Sequence, residues 1–143
     1  MQTNPAPATS SYMLIFRDSR QDTYKALSPE QRQKLLSDWY SWYDGLIAAG
    51  KLQHGHPLEA EGRIVSSDGG RVVDGPFAEA KEVVGGYFLL TVEGLEEATA
   101  IARQCPVLKL DLPFTVEVRQ VANMCPILAS GELPEAVREF THV

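Results

Sequence analysis

Apolar positions in this chain recur with two different periods, and the switch between them outlines a fold. Tyr12-Met13-Leu14-Ile15-Phe16 is a short, continuous, β-prone apolar run, the pattern of a buried strand. Arg17 ends it, and Asp18 to Leu27 reads as a polar loop. The period then changes. Leu35, Leu36, Trp39, Tyr43, Leu46 and Ile47 follow at steps of three and four and form one helical stripe. Ser28 can cap that helix, Pro29 suits its first position, and Gln31 stands where a capping box needs a side chain reaching back to the cap N–H. Gly50 supplies the left-handed residue that commonly stops a helix. The pattern predicts a helix over Pro29–Ala49.

Downstream, the runs are shorter. Lys51 to Leu58 predicts a short strand or an extended loop. Arg63–Ser67 and Arg71–Asp74 are β-prone, and Asp68-Gly69-Gly70 between them has hairpin-turn composition. Asp74-Gly75-Pro76 reads as a second turn. One or two helical turns are expected at Ala78–Glu82, ended by Gly85-Gly86. Tyr87–Val92 predicts a strand. Leu95–Gln104 predicts a helix with Leu95, Ala98, Ile101 and Ala102 on one face and Pro106 as its stop. Thr115–Val121 alternates apolar with polar, as a half-buried strand does. In the tail, Pro134–Phe140 can form a short helix, with Leu133, Val137 and Phe140 available to dock. The organisation expected is a flexible segment 1–11, one domain over 12–122, and a tail over 123–143.

This element order is that of the split βαβ motif, so the expected fold class is α+β, a ferredoxin-like sheet with its helices on one face. The first and last strands are not expected to be neighbours, although both ends approach one rim. The first strand is apolar on both sides, with Tyr12, Leu14 and Phe16 on one and Met13 and Ile15 on the other. Helices cover only one side. The other would leave an exposed apolar patch, which a second copy placed face to face would shelter. A homodimer follows.

Composition narrows the partners. The 143-residue chain carries a net charge of −6 and no basic run, so nucleic acid is not an expected partner. The N-terminus lacks the basic start and apolar run of a signal peptide, and no apolar stretch approaches the length that spans a bilayer, so no membrane partner is expected. A reducing cytoplasm is the expected location. Two cysteines, Cys105 and Cys125, are too few for a disulfide scaffold. No Cys/His cluster has metal-ligand spacing and no Gly-rich phosphate loop is present, so neither metal nor cofactor is expected.

The stretch Asp74-Gly75-Pro76-Phe77-Ala78-Glu79-Ala80-Lys81-Glu82-Val83-Val84-Gly85-Gly86-Tyr87 resembles the DGPF branch of the YCII-related family. The opening strand, the Trp- and Tyr-bearing helix, Ala49-Gly50-Lys51-Leu52 and the closing Val116-Glu117-Val118-Arg119 extend the resemblance over about Tyr12 to Val121. It implies a ferredoxin-like fold paired into a dimeric α+β barrel, with a pocket between the helices or inside the barrel. Most members have no assigned reaction. The DGPF branch is associated with alternative sigma factors, and the wider superfamily holds acid–base enzymes acting on small aromatic or lactone-like compounds. Related members are proposed to use a His–Asp pair with the His on the first helix. Here that helix has no His and carries Asp38, Trp39, Tyr40 and Tyr43, whereas His54 and His56 follow it.

The candidate catalytic residues are Asp74, as a general base or a partner to His, and His56, as a proton shuttle. Asp74 also suits a purely structural role, accepting backbone N–H bonds in a turn. Candidate ligand-binding residues are Arg17, Arg119, His54, Glu79, Lys81 and Trp39. An Arg holds a carboxylate bidentately, and Trp39 with Trp42 and Tyr43 can stack on an aromatic ring or simply pack in the core. Thr115, Glu117 and Arg119 share one strand face. Three functions compete: a small-molecule-binding module, an isomerase- or lyase-type acid–base enzyme, and an accessory of sigma-factor regulation.

Overall fold

A computed structural model describes residues 8–19, 23–75, 82–125 and 127. The elements run β1 (Ser10–Asp18), α1 (Pro29–Ala48), β2 (Leu52–Pro57), β3 (Gly62–Val65), β4 (Val72–Gly75), β5 (Val83–Val92), α2 (Leu95–Arg103), a 3-10 turn (Pro106–Lys109) and β6 (Thr115–Gln120). Four strands form one sheet in the order β2-β5-β1-β6, every neighbouring pair antiparallel. This is the ferredoxin-like α+β sheet. β3 and β4 form a separate two-stranded sheet. Among the described residues no helix is long and apolar enough to cross a membrane.

The local signals act where the sequence places them. The Ser28 hydroxyl accepts from the Gln31 N–H at 3.1 Å, and the Gln31 side chain accepts from the Ser28 N–H at 2.8 Å, so both halves of the capping box close. Gly50 stands past the end of α1 at φ 71°, where a Cβ would be strained. Gly69 and Gly70, at φ 61° and 72°, turn the β3–β4 hairpin.

The core lies between the sheet and the two helices. Tyr12, Leu14 and Phe16 of β1 and Phe88, Leu90 and Val92 of β5 face Trp42 and Leu46 of α1 and Ala98, Ile101 and Ala102 of α2. At its centre the Phe16 ring meets Phe88 edge-on at 4.9 Å and Trp39 at 5.1 Å, geometries that add to simple area burial. The Trp42 indole N–H is buried among these rings, with no acceptor among the described residues.

Several expectations are corrected. β1 and β6 are direct neighbours, paired from Tyr12↔Gln120 to Arg17↔Thr115, because the last strand of the split βαβ order adds to the free side of the first. The buried stripe of α1 runs through Trp42 and Leu46, with Leu35, Trp39 and Tyr43 packed beside them, while Leu36 and Ile47 are exposed. The helix sits squarely over Phe16 and Phe88, which turns its flanks to solvent. Leu95 of α2 is likewise exposed. The segment read as a polar loop after Arg17 holds a buried residue, Thr23, whose hydroxyl accepts from the Ser19 N–H at 2.8 Å.

The glycines explain the remaining differences. Gly85 and Gly86 do not end a helix; they lie inside β5, which begins at Val83. The register slips between Phe16↔Gly86 and Arg17↔Val84, leaving Gly85 as the extra residue of a bulge. A Cβ on Gly86 would stand 2.9 Å from the His56 carbonyl oxygen, so close strand approach requires Gly there. Asp74 and Gly75 are not in a turn but close β4, opposite Arg63 and Gly62. A Cβ on Gly75 would run into the Ile64 side chain at 2.5 Å, so glycine lets the hairpin fold onto that residue. The helical turns expected around Ala78 and the tail helix Pro134–Phe140 lie outside the described residues.

Candidate functional site on the open face of the sheet

Strand alternation sorts the side chains of the main sheet onto two faces. Tyr12, Leu14 and Phe16 point to the helices, so Met13, Ile15 and Arg17 point away. Phe88 and Leu90 point to the helices, so Tyr87 and Leu89 point away. On β2 a bulge between Leu52 and His54 resets the alternation. A Cβ on Gly55 would meet the Phe88 ring on the helix face, so His54 and His56 on either side of it stand on the open face.

The register assembles these residues into rows across the four strands. One row is His54–Leu89–Met13–Arg119, and the next is His56–Tyr87–Ile15–Glu117. The Tyr87 hydroxyl lies 3.1 Å from His54 Nδ1, and the Tyr87 ring packs edge-on to His54 at 5.6 Å and near His56 at 6.1 Å. The imidazole centroids stand 6.0 Å apart. At the opposite edge, Arg17 donates from Nε at 3.2 Å and from its terminal nitrogen at 2.9 Å, both to Glu117 Oε2. That fork fixes the guanidinium and engages only one of the two Glu117 carboxylate oxygens. Arg119, one row further, is exposed. Polar groups close one end, where the Gln53 amide donates to Thr91 Oγ1 at 2.6 Å and Ser11 Oγ at 3.1 Å.

The face is therefore a strip of Met13, Ile15 and Leu89, walled by two imidazoles and a phenol on β2 and β5 and by an Arg–Glu pair with a further Arg on β6. Its groups can donate hydrogen bonds to an anion, exchange a proton between imidazole and phenol, and pack an apolar ring.

Four of the sequence-derived candidates, His54, His56, Arg17 and Arg119, meet on this face. The others do not join it. Asp74 is exposed in β4 of the second sheet and forms no side-chain hydrogen bond among the described residues. Trp39 packs on the helix side against Phe16, Trp42 and Phe88. Glu79 and Lys81 lie outside the described residues. Tyr87 and Glu117 complete the constellation. Strand alternation had placed Glu117 beside Arg119, but Tyr87 carries no signal until β2 is known to pair with β5.

Other titratable groups are poor candidates for chemistry. Burial pushes the Tyr24 phenol up to about 12, with Asp18 and then Cys105 adding to the effect. Burial likewise pushes the Cys105 thiol up to about 11, against the lowering effect of the Val107 and Leu108 N–H groups, so it is not a thiolate near neutrality. A crevice of about 500 Å³ between α1 and α2 lies on the other side of the sheet, lined by Trp42, Gly45, Leu46 and Ile101 among others, with Lys51 and Glu97 ion-paired at 2.6 Å. Among the described residues no group of three or more His, Cys, Asp or Glu side chains has the geometry to hold a metal ion.

Comparison with known proteins places this geometry in context. The family profile of the YCII-related domain matches residues 11–122. An uncharacterised protein of Rhizobium meliloti (strain 1021) is 35% identical over 115 residues, which covers 76% of this chain and 87% of that protein.

Proposed function

The chain belongs to the YCII-related domain family, and from that premise we propose that it is a small-molecule-binding module that works as a pair of identical subunits. The observation that carries the reading is the composition of the open sheet face. Met13, Ile15 and Leu89 are apolar, only partly buried, and flanked on both sides by side chains that recognise ligands. A second copy laid face to face covers that strip. Sheets stacked this way stand roughly 10 Å apart, so the flanking polar groups line a hollow between the subunits. The Asp74-Gly75-Pro76-Phe77 motif supports placing the chain in the DGPF branch, which leaves the ligand open.

One observation favours a second reading, acid–base catalysis. The His54–Tyr87 contact couples two proton-carrying groups on the face that would line the hollow. Asp74, the partner expected for His56 from the sequence, lies in the separate β3–β4 sheet. The two readings share a site and differ in turnover.

Sedimentation tests the pairing, and a thermal-shift screen of small carboxylates and phenols tests the binding. A dimer whose melting temperature rises with ligand concentration supports the module. A monomer at working concentration that no ligand stabilises refutes it. Consumption of a stabilising compound, lost in Tyr87→Phe, would move the assignment to the enzyme.

A further inference from the structure

His54 and His56 are separated by one residue on an extended strand, so both imidazoles leave β2 on the same face, with only a glycine between them. β2 is an edge strand of the main sheet, and both side chains are exposed. The two rings are inclined by 35°, and their centroids stand 6.0 Å apart. An imidazole centroid lies about 3.2 Å from an ion bound to its nitrogen, so two rings sharing one ion have centroids roughly 4.5 Å apart when the bonds meet at a right angle and roughly 6.4 Å apart when they are opposed. The observed separation falls inside that range, and rotation of two exposed side chains supplies the final adjustment.

We propose that His54 and His56 chelate a single late first-row divalent ion within one protomer, Cu2+ in preference to Ni2+ or Zn2+. Two imidazoles fall short of the three or four protein ligands of a zinc centre and leave most of the coordination shell to water. Such a nitrogen and oxygen set suits the tetragonal geometry of Cu2+, which also stands highest in the general affinity order of these ions.

Tyr87 is the positioning residue of the pair. Its hydroxyl lies 3.1 Å from His54 Nδ1. With the ring proton on Nδ1, that nitrogen donates to the phenol oxygen and Nε2 presents its lone pair to the ion, the arrangement that orients metal-binding histidines generally. The Tyr87 ring stands edge-on to His54 and tilted beside His56, so one side chain braces both ligands. Charge also permits a cation here. Lys51 is paired with Glu97 and Arg17 with Glu117, and Arg119 stands three strands away from His54 in its row. The site needs one protomer only, so it stands apart from the pairing and the small-molecule binding proposed above.

Calorimetric titration of the untagged chain with CuCl2 at mildly alkaline pH, where imidazole is neutral, tests the site, with electron paramagnetic resonance of the bound ion as a second readout. One tight Cu2+ per chain is expected, with hyperfine splitting from two nitrogens, weaker binding of Ni2+ and Zn2+, and no response to Mg2+. His54→Ala and His56→Ala should each weaken Cu2+ binding by at least about tenfold, because each removes one arm of the chelate. Both should melt close to wild type without metal, since both positions are exposed. His54→Gln and His56→Gln repeat the comparison should an Ala variant melt early. His142→Ala, which removes the remaining histidine of the chain, should bind as wild type. Tyr87→Phe should keep the two-nitrogen signature and bind about tenfold more weakly. Cu2+ held as tightly by the β2 variants as by wild type, binding lost in His142→Ala, or a single-nitrogen signature would each overturn the chelate. A Tyr87→Phe protein that binds as wild type would overturn the positioning role.

Discussion

Replacing Gly55 with Ala adds one methyl group between the two histidines of β2, and the structure makes that methyl costly. The new Cβ would overlap the Phe88 Cδ1 atom, stand 3.0 Å from Phe88 Cε1 and lie 2.9 Å from the Tyr87 carbonyl oxygen. Neither neighbour yields easily. Phe88 is 3% exposed and wedged against Phe16, Trp39, Trp42 and Tyr43. The Tyr87 carbonyl belongs to the backbone of β5, which is hydrogen-bonded on both edges. Relief must come from an outward shift of β2 or an off-rotamer Phe88, the overpacking that costs about 1–3 kcal/mol. For a domain of this length that lowers the melting temperature by roughly 4–12 °C. The same substitution at Gly45, in the interior of α1, is the control. A Cβ there meets nothing within 4 Å, so Ala should stabilise by up to about 1 kcal/mol through helix propensity alone. Thermal and urea unfolding followed by circular dichroism compare the two. A Gly55→Ala protein as stable as wild type would show that β2 does not pack against Phe88 as described and would remove the basis for placing His54 and His56 on the open face.

Three further outcomes are expected. Ser28→Ala deletes one half of the capping box and should cost about 1 kcal/mol in urea unfolding, whereas Ser28→Asp should retain most of the stability. With a chromogenic disulfide near pH 8, the native protein should titrate the exposed Cys125 quickly and the buried Cys105 only after denaturation, so equal reaction rates would contradict the burial of Cys105. The hydrogen bond from Lys51, the largest influence on Glu97, holds its carboxyl below the usual glutamate value, so the pair stabilises the fold above the ordinary Glu pKa and loses that contribution as pH falls through the lowered one. Lys51→Met should flatten the acid limb of the stability profile, and an unchanged limb would show that the 2.6 Å contact does not persist in solution.

Much of the fold was legible along the chain because its signals are local. The capping box at Ser28, the glycine stop at Gly50 and the Asp68-Gly69-Gly70 turn each depend on residues a few positions apart. The two helical stripes set α1 and α2 to within a residue. Signals that mislead are those whose meaning depends on a distant strand. Gly85-Gly86 looks like a helix stop in isolation, and only the approach of β2 and the Asp18 carboxylate on β1 explains why no side chain fits there. Leu36 and Ile47 belong to the stripe by spacing, yet the position of Phe16 and Phe88 beneath the helix turns them outward.

By itself the sequence determined the split βαβ order, the two-sided apolar first strand and the candidates His54, His56, Arg17 and Arg119. Tertiary structure decided which of them face one another. Cross-strand register joins residues about 100 positions apart, as in Arg17 and Glu117, and no local period encodes that pairing. The bulge in β2 then turned both imidazoles onto the open side, and the pairing of β2 with β5 brought Tyr87 to His54, because a one-residue slip in a strand moves every side chain to the opposite face.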